Sequence, residues 1–198
     1  MTAPIPWLEA FAAQRGLRYE AEADERWLRA WEPYATLKVP HRYEHALHAT
    51  GEAGSITIAR AVVASPHPPP PPAPPLELGT WIAIVQDTRL SRRVAVTSDF
   101  GGVFSEPLEL AAMTRRSTGD GSFDHVFATF AETDDDVTRG LSPSLRRLLL
   151  SWRAPAHLEL RPGGFVLAPV SATADARGLA WVFDAVHLVG AKAQKLSI

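Results

Sequence analysis

The 198-residue chain contains no cysteine. That excludes disulfides, thiolate metal sites and a cysteine nucleophile, and it fits a reducing compartment. No apolar run approaches the roughly 18 to 20 residues that a membrane-spanning helix needs. The opening stretch MTAPIPWLEAFAAQRG has no basic leading segment and carries Glu9 and Arg15, so a secretory signal is not expected. Neither sign of charge dominates: 20 Lys and Arg stand against 22 Asp and Glu, for a net charge of −2. Without a basic footprint, nucleic-acid binding is not expected. The motifs of common reactions are missing too, including the GxSxG elbow, the SxxK pair, GxGxxG and GxxxxGK[ST]. No reaction, cofactor or transmembrane segment is therefore expected, and the cytoplasm is the expected location.

What is present is an ordinary globular composition, 46% hydrophobic and 21% charged, with 17 prolines and six tryptophans. A chain of this length can form one domain that buries roughly 70% of its unfolded surface. Eight of the ten residues from Pro66 to Pro75 are proline. Such a run lacks amide hydrogens and adopts polyproline II at about 3.1 Å per residue, so it cannot join a sheet. Strand-like AVVAS and TWIAIVQ lie on either side of it. The expectation is a single domain, residues 1–198, with residues 66–75 extruded as a loop between neighbouring strands. PxxP spacing makes Pro68, Pro71 and Pro74 candidate contacts for the aromatic groove of a protein partner.

Along the chain, Thr2 is the expected N-cap of a first helix, with Pro4 and Pro6 in its first turn and Gly16 as its left-handed end. LRYEAE reads as a strand. Asp24 is placed to cap a second helix carrying Trp27, Leu28 and Trp31, which Pro33 stops. HRYEHALHATGEAGSITIARAVV reads as a hairpin, TWIAIVQ as a central strand, and RRVAVTS as its partner. Ser105 can cap a short helix. SFDHVFATF is expected as a strand and TDDDVTRG as a helical turn with acidic residues at its positive end. Ser142 and Pro143 start another helix. AHLELRPGGFVLAPV forms a hairpin around a three-residue loop, Pro162 to Gly164. A last helix from about Asp175 bears the stripe Leu179, Val182, Phe183, Val186, Gly190 and Ala193. The fold class is α+β: an antiparallel sheet of hairpins with the helices of both termini packed on one face.

Few residues suggest chemistry. His41, His45 and His48 would share one face of a helix and could then bind a divalent metal. On the alternating strand expected here, His41 and His45 lie on one side with Tyr43, and His48 on the other, which leaves His41 and His45 as metal candidates. DFGGVFSEP reads as a tight turn rather than a phosphate cradle. Asp134, Asp135 and Asp136 suit a helix start better than a cation site, because consecutive carboxylates diverge on a helix. Asp124 and His125 face opposite ways on a strand. His157, Glu159 and Arg161 are expected on the exposed side of a half-buried strand, and Asp184 with His187 as a surface pair.

Residues 123–198 resemble an uncharacterised bacterial domain family. FDHVF, LSPSLRRLLLSW, LELRPGGFVLAPV and the terminal amphipathic helix carry that resemblance. It implies a strand, a helix, a hairpin and a closing helix. Members often sit beside transmembrane segments, and the pattern has no catalytic residues to transfer.

The functional expectation is a non-catalytic interaction or assembly module of a bacterial cell, with Trp27 and Trp31 as partner contacts beside the proline loop. Aromatic residues are enriched at protein interfaces. The alternatives are a small-ligand or metal-binding protein, possibly hydrolytic, that uses His41, His45 and His48, and a peripheral membrane protein that attaches through Trp7, Leu8 and Phe11.

Replacing residues 66–75 by Gly/Ser of equal length tests the loop expectation. Denaturant unfolding should remain one transition, with a loss on the order of 1 to 3 kcal/mol from the added entropy of the unfolded chain. Two transitions in the unmodified protein would refute it.

Overall fold

The structure of the chain, a computed structural model, describes residues 2–31, 40–51, 54–64, 77–98, 113–152, 155–169 and 174–193. The Pro33 stop, the turn at 52–53, the proline tract, DFGGVFSEP and the Ser105 helix lie outside the described residues.

The fold is α+β, with nine antiparallel strands in one sheet and six helices packed on it, among the described residues. The strands are β1 (Arg18–Glu22), β2 (Arg42–Gly51), β3 (Gly54–Ala64), β4 (Glu77–Asp87), β5 (Val94–Ser98), β6 (Thr114–Arg116), β7 (Phe127–Ala131), β8 (Ala156–Arg161) and β9 (Gly164–Pro169). Their spatial order is β1-β2-β3-β4-β9-β8-β5-β7-β6. β5 therefore does not pair with β4 as its sequence position suggested; it lies between β8 and β7. The β8–β9 hairpin takes the place beside β4 because β9 begins on Gly164, which lets the two backbones approach. A Cβ there would meet the Val85 carbonyl oxygen at 2.1 Å. β5 has both of its edges taken by β7 and β8, and Arg92 and Arg93 just before it pair with Asp135 and Glu132.

The helices are α1 (Pro6–Gln14), α2 (Glu25–Ala30), α3 (Gly121–Val126), α4 (Asp134–Gly140), α5 (Pro143–Ser151) and α6 (Ala176–Ala193). Side chains cap several starts: Asp24 accepts from the Trp27 amide, Asp120 from Phe123, Thr133 from Asp136 and Ser142 from Leu145. α1 differs from expectation. Its N-cap is Ile5 with no side-chain cap, and Pro6 takes the first helical position, so Thr2 lies outside it. The stretch expected as one strand, SFDHVFATF, is half helix. Asp120 caps α3, and Asp124 takes hydrogen bonds from Ser117 and Thr118, which fixes the turn before β7. The β8–β9 loop has two residues rather than three, because Arg161 pairs with Gly164 and Gly163 alone holds a positive φ of 88°.

Alternation along β4 explains the layers. Trp81 and Ala83 enter a large core with Leu8 of α1, Phe123, Val137, Leu145 and Leu149 of α3 to α5, and Leu179, Val182 and Val186 of α6. Ile82 and Ile84 point the other way and meet Leu28 of α2, with Ala46, Ala59, Val166 and Ala168. Five helices thus cover one face and α2 covers the other, a correction to helices on a single face. The α6 stripe is rotated slightly: Val189 is fully buried, while Phe183 and Gly190 are only half-buried. Among the described residues, no helix is long and apolar enough to cross a membrane.

Two glycines make opposite predictions. Gly164→Ala forces a methyl into a backbone oxygen and into Trp31, so a loss of about 3 kcal/mol is expected in denaturant unfolding. Gly190→Ala meets nothing within 4 Å in the interior of α6 and should gain about 0.5 to 1 kcal/mol.

Candidate functional site

The three histidines expected near one another do not assemble. His41 is exposed at the entry to β2. The register of β2 against β3 shifts between Glu44 and Leu47, and His45 takes a positive φ of 53° there. That bulge breaks the alternation. Tyr43 packs with α2's core, while His45 stacks on Tyr19 and bonds its hydroxyl at 2.9 Å. His48 bonds Thr57 at 3.0 Å and lies 3.3 Å from Glu20. Burial lowers the proton affinity of both His45 and His48, and for His48 the Glu20 carboxylate partly offsets this. Among the described residues, no group of three or more His, Asp or Glu side chains is placed to hold a metal ion.

The expected membrane face of α1 is also divided. Leu8 is fully buried and Phe11 packs edge-on against Phe183 at 6.1 Å, so Trp7 alone of the three is exposed. Pro68, Pro71 and Pro74 lie outside the described residues.

Trp27 and Trp31 do come together, 6.2 Å apart and half-buried over the α2 face of the sheet. Trp31 marks one end of a row of polar side chains that sequence reasoning missed. The Arg161 guanidinium lies over its ring, 5.5 Å from the centroid. Arg161 donates to Glu159 Oε1 at 3.2 and 3.3 Å, and Glu159 Oε2 sits 3.9 Å from His157 Nε2. His157 pairs across to Thr97 on β5. Far from forming an exposed strand side, His157 is 1% and Glu159 0% exposed, and Thr97 is 2% exposed. β8 has a neighbour on both edges and a covered surface on both faces, so its H-x-E-x-R alternation separates two interiors rather than core from water. Alternation alone holds no signal for that difference.

The row is electrostatically uneven. Arg161 compensates the Glu159 charge, whereas both ring nitrogens of His157, the Thr97 hydroxyl and Glu159 Oε2 have no hydrogen-bond partner. Thr97 and His157 face each other without a hydrogen bond, so they are not a hydroxyl activated by a base. The arrangement places an aromatic ring and a guanidinium at one end and buried polar groups without hydrogen-bond partners at the other.

No family model matches the chain, and no curated protein does. Among solved structures, its fold is similar to the crystal structure of the mycobacterial trehalose monomycolate transport factor A, TtfA. The TM-score is 0.61 at 13% identity, covering 92% of this chain and 88% of that one. The shared property is the fold.

Thr97→Val removes an unpartnered buried hydroxyl while keeping the branched shape. It should stabilise the protein by about 1 kcal/mol in thermal or denaturant unfolding. Destabilisation would show that the hydroxyl is bonded in solution.

Proposed function

We propose that this chain is a non-catalytic, partner-binding component of a bacterial cell, serving cell-envelope transport or assembly. The observation that carries the reading is the fold likeness to a transport factor over nearly the whole of both chains. The Trp27–Trp31 pair supports it: two half-exposed indoles sit beside the Arg161 guanidinium, and aromatic and arginine side chains supply much of the energy at protein interfaces. The partner is another protein, and Trp27, Trp31 and Arg161 form the contact.

Affinity capture from detergent-solubilised cells of the source organism tests this. The wild-type protein should retain an envelope transport or assembly protein at physiological salt. Trp27→Ala should reduce that retention at least tenfold, about 1.4 kcal/mol, with its circular-dichroism melt retained. Equal capture by both proteins, or none by the wild type, would refute the reading.

A further inference from the structure

Among the described residues, His45 is the non-glycine residue held at positive φ, and it is buried at 3% exposure. A bulky side chain keeps that backbone only where its surroundings enforce it, and such positions concentrate at functional sites. Here the surroundings form a directed chain. The Ile5 amide donates to the Tyr19 hydroxyl oxygen at 3.1 Å, and that hydroxyl lies 2.9 Å from His45 Nδ1. We assign the tautomer in which Nδ1 is the bare nitrogen of a neutral ring: the hydroxyl then receives the amide hydrogen on its oxygen and gives its own hydrogen to Nδ1, so both of its hydrogen-bonding roles are filled. The two rings lie 10° from parallel, so the contact is fixed in orientation as well as distance. Ile5 is the N-cap of α1, a nine-residue helix that has no side-chain cap. A helix that short is held by its contacts and not by its own propensity.

We propose that the Ile5–Tyr19–His45 chain is a proton-operated pin: uptake of one proton from solvent by His45 reverses the Tyr19–His45 hydrogen bond, unfastens the start of α1, and lets α1 lift from the sheet. Protonated Nδ1 becomes a donor to an oxygen already engaged by Ile5. The phenol hydrogen then loses its acceptor, and a positive charge stands in a buried place. Lifting α1 exposes Leu8 and Ala12, now in the core, and the Trp81 ring that Trp7 abuts edge-on at 6.4 Å. The exposed face is apolar and absent from the surface at neutral pH.

The charged groups around His45 have partners of their own. Glu44 beside it pairs with Arg60 of β3 and with Arg42. On β1, Glu20 pairs with Arg18 and His48, and Glu22 is also engaged. On α1, Glu9 is exposed, and Arg15 lies over the Phe11 and Phe183 rings. Burial is thus what lowers the His45 proton affinity. The unfolded or lifted state takes the proton first. The stability of the pinned state is complete above about pH 6.5 and declines as pH falls through the lower folded value.

Hydrogen exchange read by mass spectrometry at pH 7.5 and 5.5, with labelling times scaled for intrinsic rates, tests the pin. In the wild type, protection of residues 5–14 should fall severalfold at the lower pH, with about tenfold as the ceiling for one proton, while residues 156–169 keep theirs. His45→Asn tolerates the left-handed backbone, presents an acceptor and does not titrate, so its protection should be the same at both pH values. Tyr19→Phe should leave residues 5–14 weakly protected at both. Unchanged protection in the wild type, a pH response that survives in His45→Asn, or equal loss in residues 156–169 would each overturn the proposal. If Tyr19→Phe does not fold, the His45→Asn comparison decides alone.

Discussion

Everything in the fold depends on the seam between β4 and β9. Four residue pairs, Ala83 with Leu167 through Gln86 with Gly164, join the first four strands to the last five. The seam closes because Gly164 has no side chain at the point where the strands come nearest, and because residues on both sides of it are apolar toward both faces. Trp81, Ala83, Phe165 and Leu167 belong to one core, and Ile82, Ile84, Val166 and Ala168 to the other. A break here would open two interiors at once. Deleting buried apolar side chains costs roughly 2 to 5 kcal/mol each, comparable with the whole stability of a domain.

The two halves treat buried polarity differently. Around β2 and β3, charges are matched at the surface, where Arg42 forks onto Glu77 at 2.8 Å, and beneath it, where the buried Glu44 meets Arg60. The Arg42 hydrogen bond holds the Glu77 carboxyl below its ordinary proton affinity. On β8 the matching stops halfway, at Glu159 with Arg161, and His157 beyond it, 3.9 Å from Glu159, has no hydrogen-bond partner. Unpaired buried groups cost about 1 to 3 kcal/mol apiece, so they persist only where the surrounding sheet over-determines the position. His157 meets that condition, flanked by β5 and β9 and enclosed on its own face.

Local signals were legible in the sequence wherever a short-range rule decides. Asp24 and Ser142 cap helices, Gly16 has a left-handed φ of 66°, and the two hairpins at β2–β3 and β8–β9 stand where their turn residues lie. In strand order and strand faces, tertiary partners outrank local pattern; at α1 and α3 local chemistry decides instead, through Pro6 at the first helical position and Asp120 at the N-cap. Sequence order points β5 to its neighbour β4, because the β8–β9 hairpin that displaces it comes much later in the chain. The bulge at His45 is invisible to alternation, which puts Tyr43 and His45 on one side. Of the candidate site, Trp27 and Trp31 were readable from helical spacing. Their polar partners on β8 were not, because an H-x-E-x-R strand looks the same whether its second face meets water or protein.

The strand order also dictates when the molecule can become whole. During synthesis, β1 to β4 emerge first and can pair as successive neighbours, since each connection is local. The far edge of β4 then carries Ile82 and Ile84 on one side and Trp81 and Ala83 on the other, with no neighbour until residues 164–167 leave the ribosome. At roughly 5 to 20 residues per second, that edge waits several seconds as an open template for other strands. The seam that holds the finished protein together is therefore also the feature that makes its nascent chain most in need of shelter.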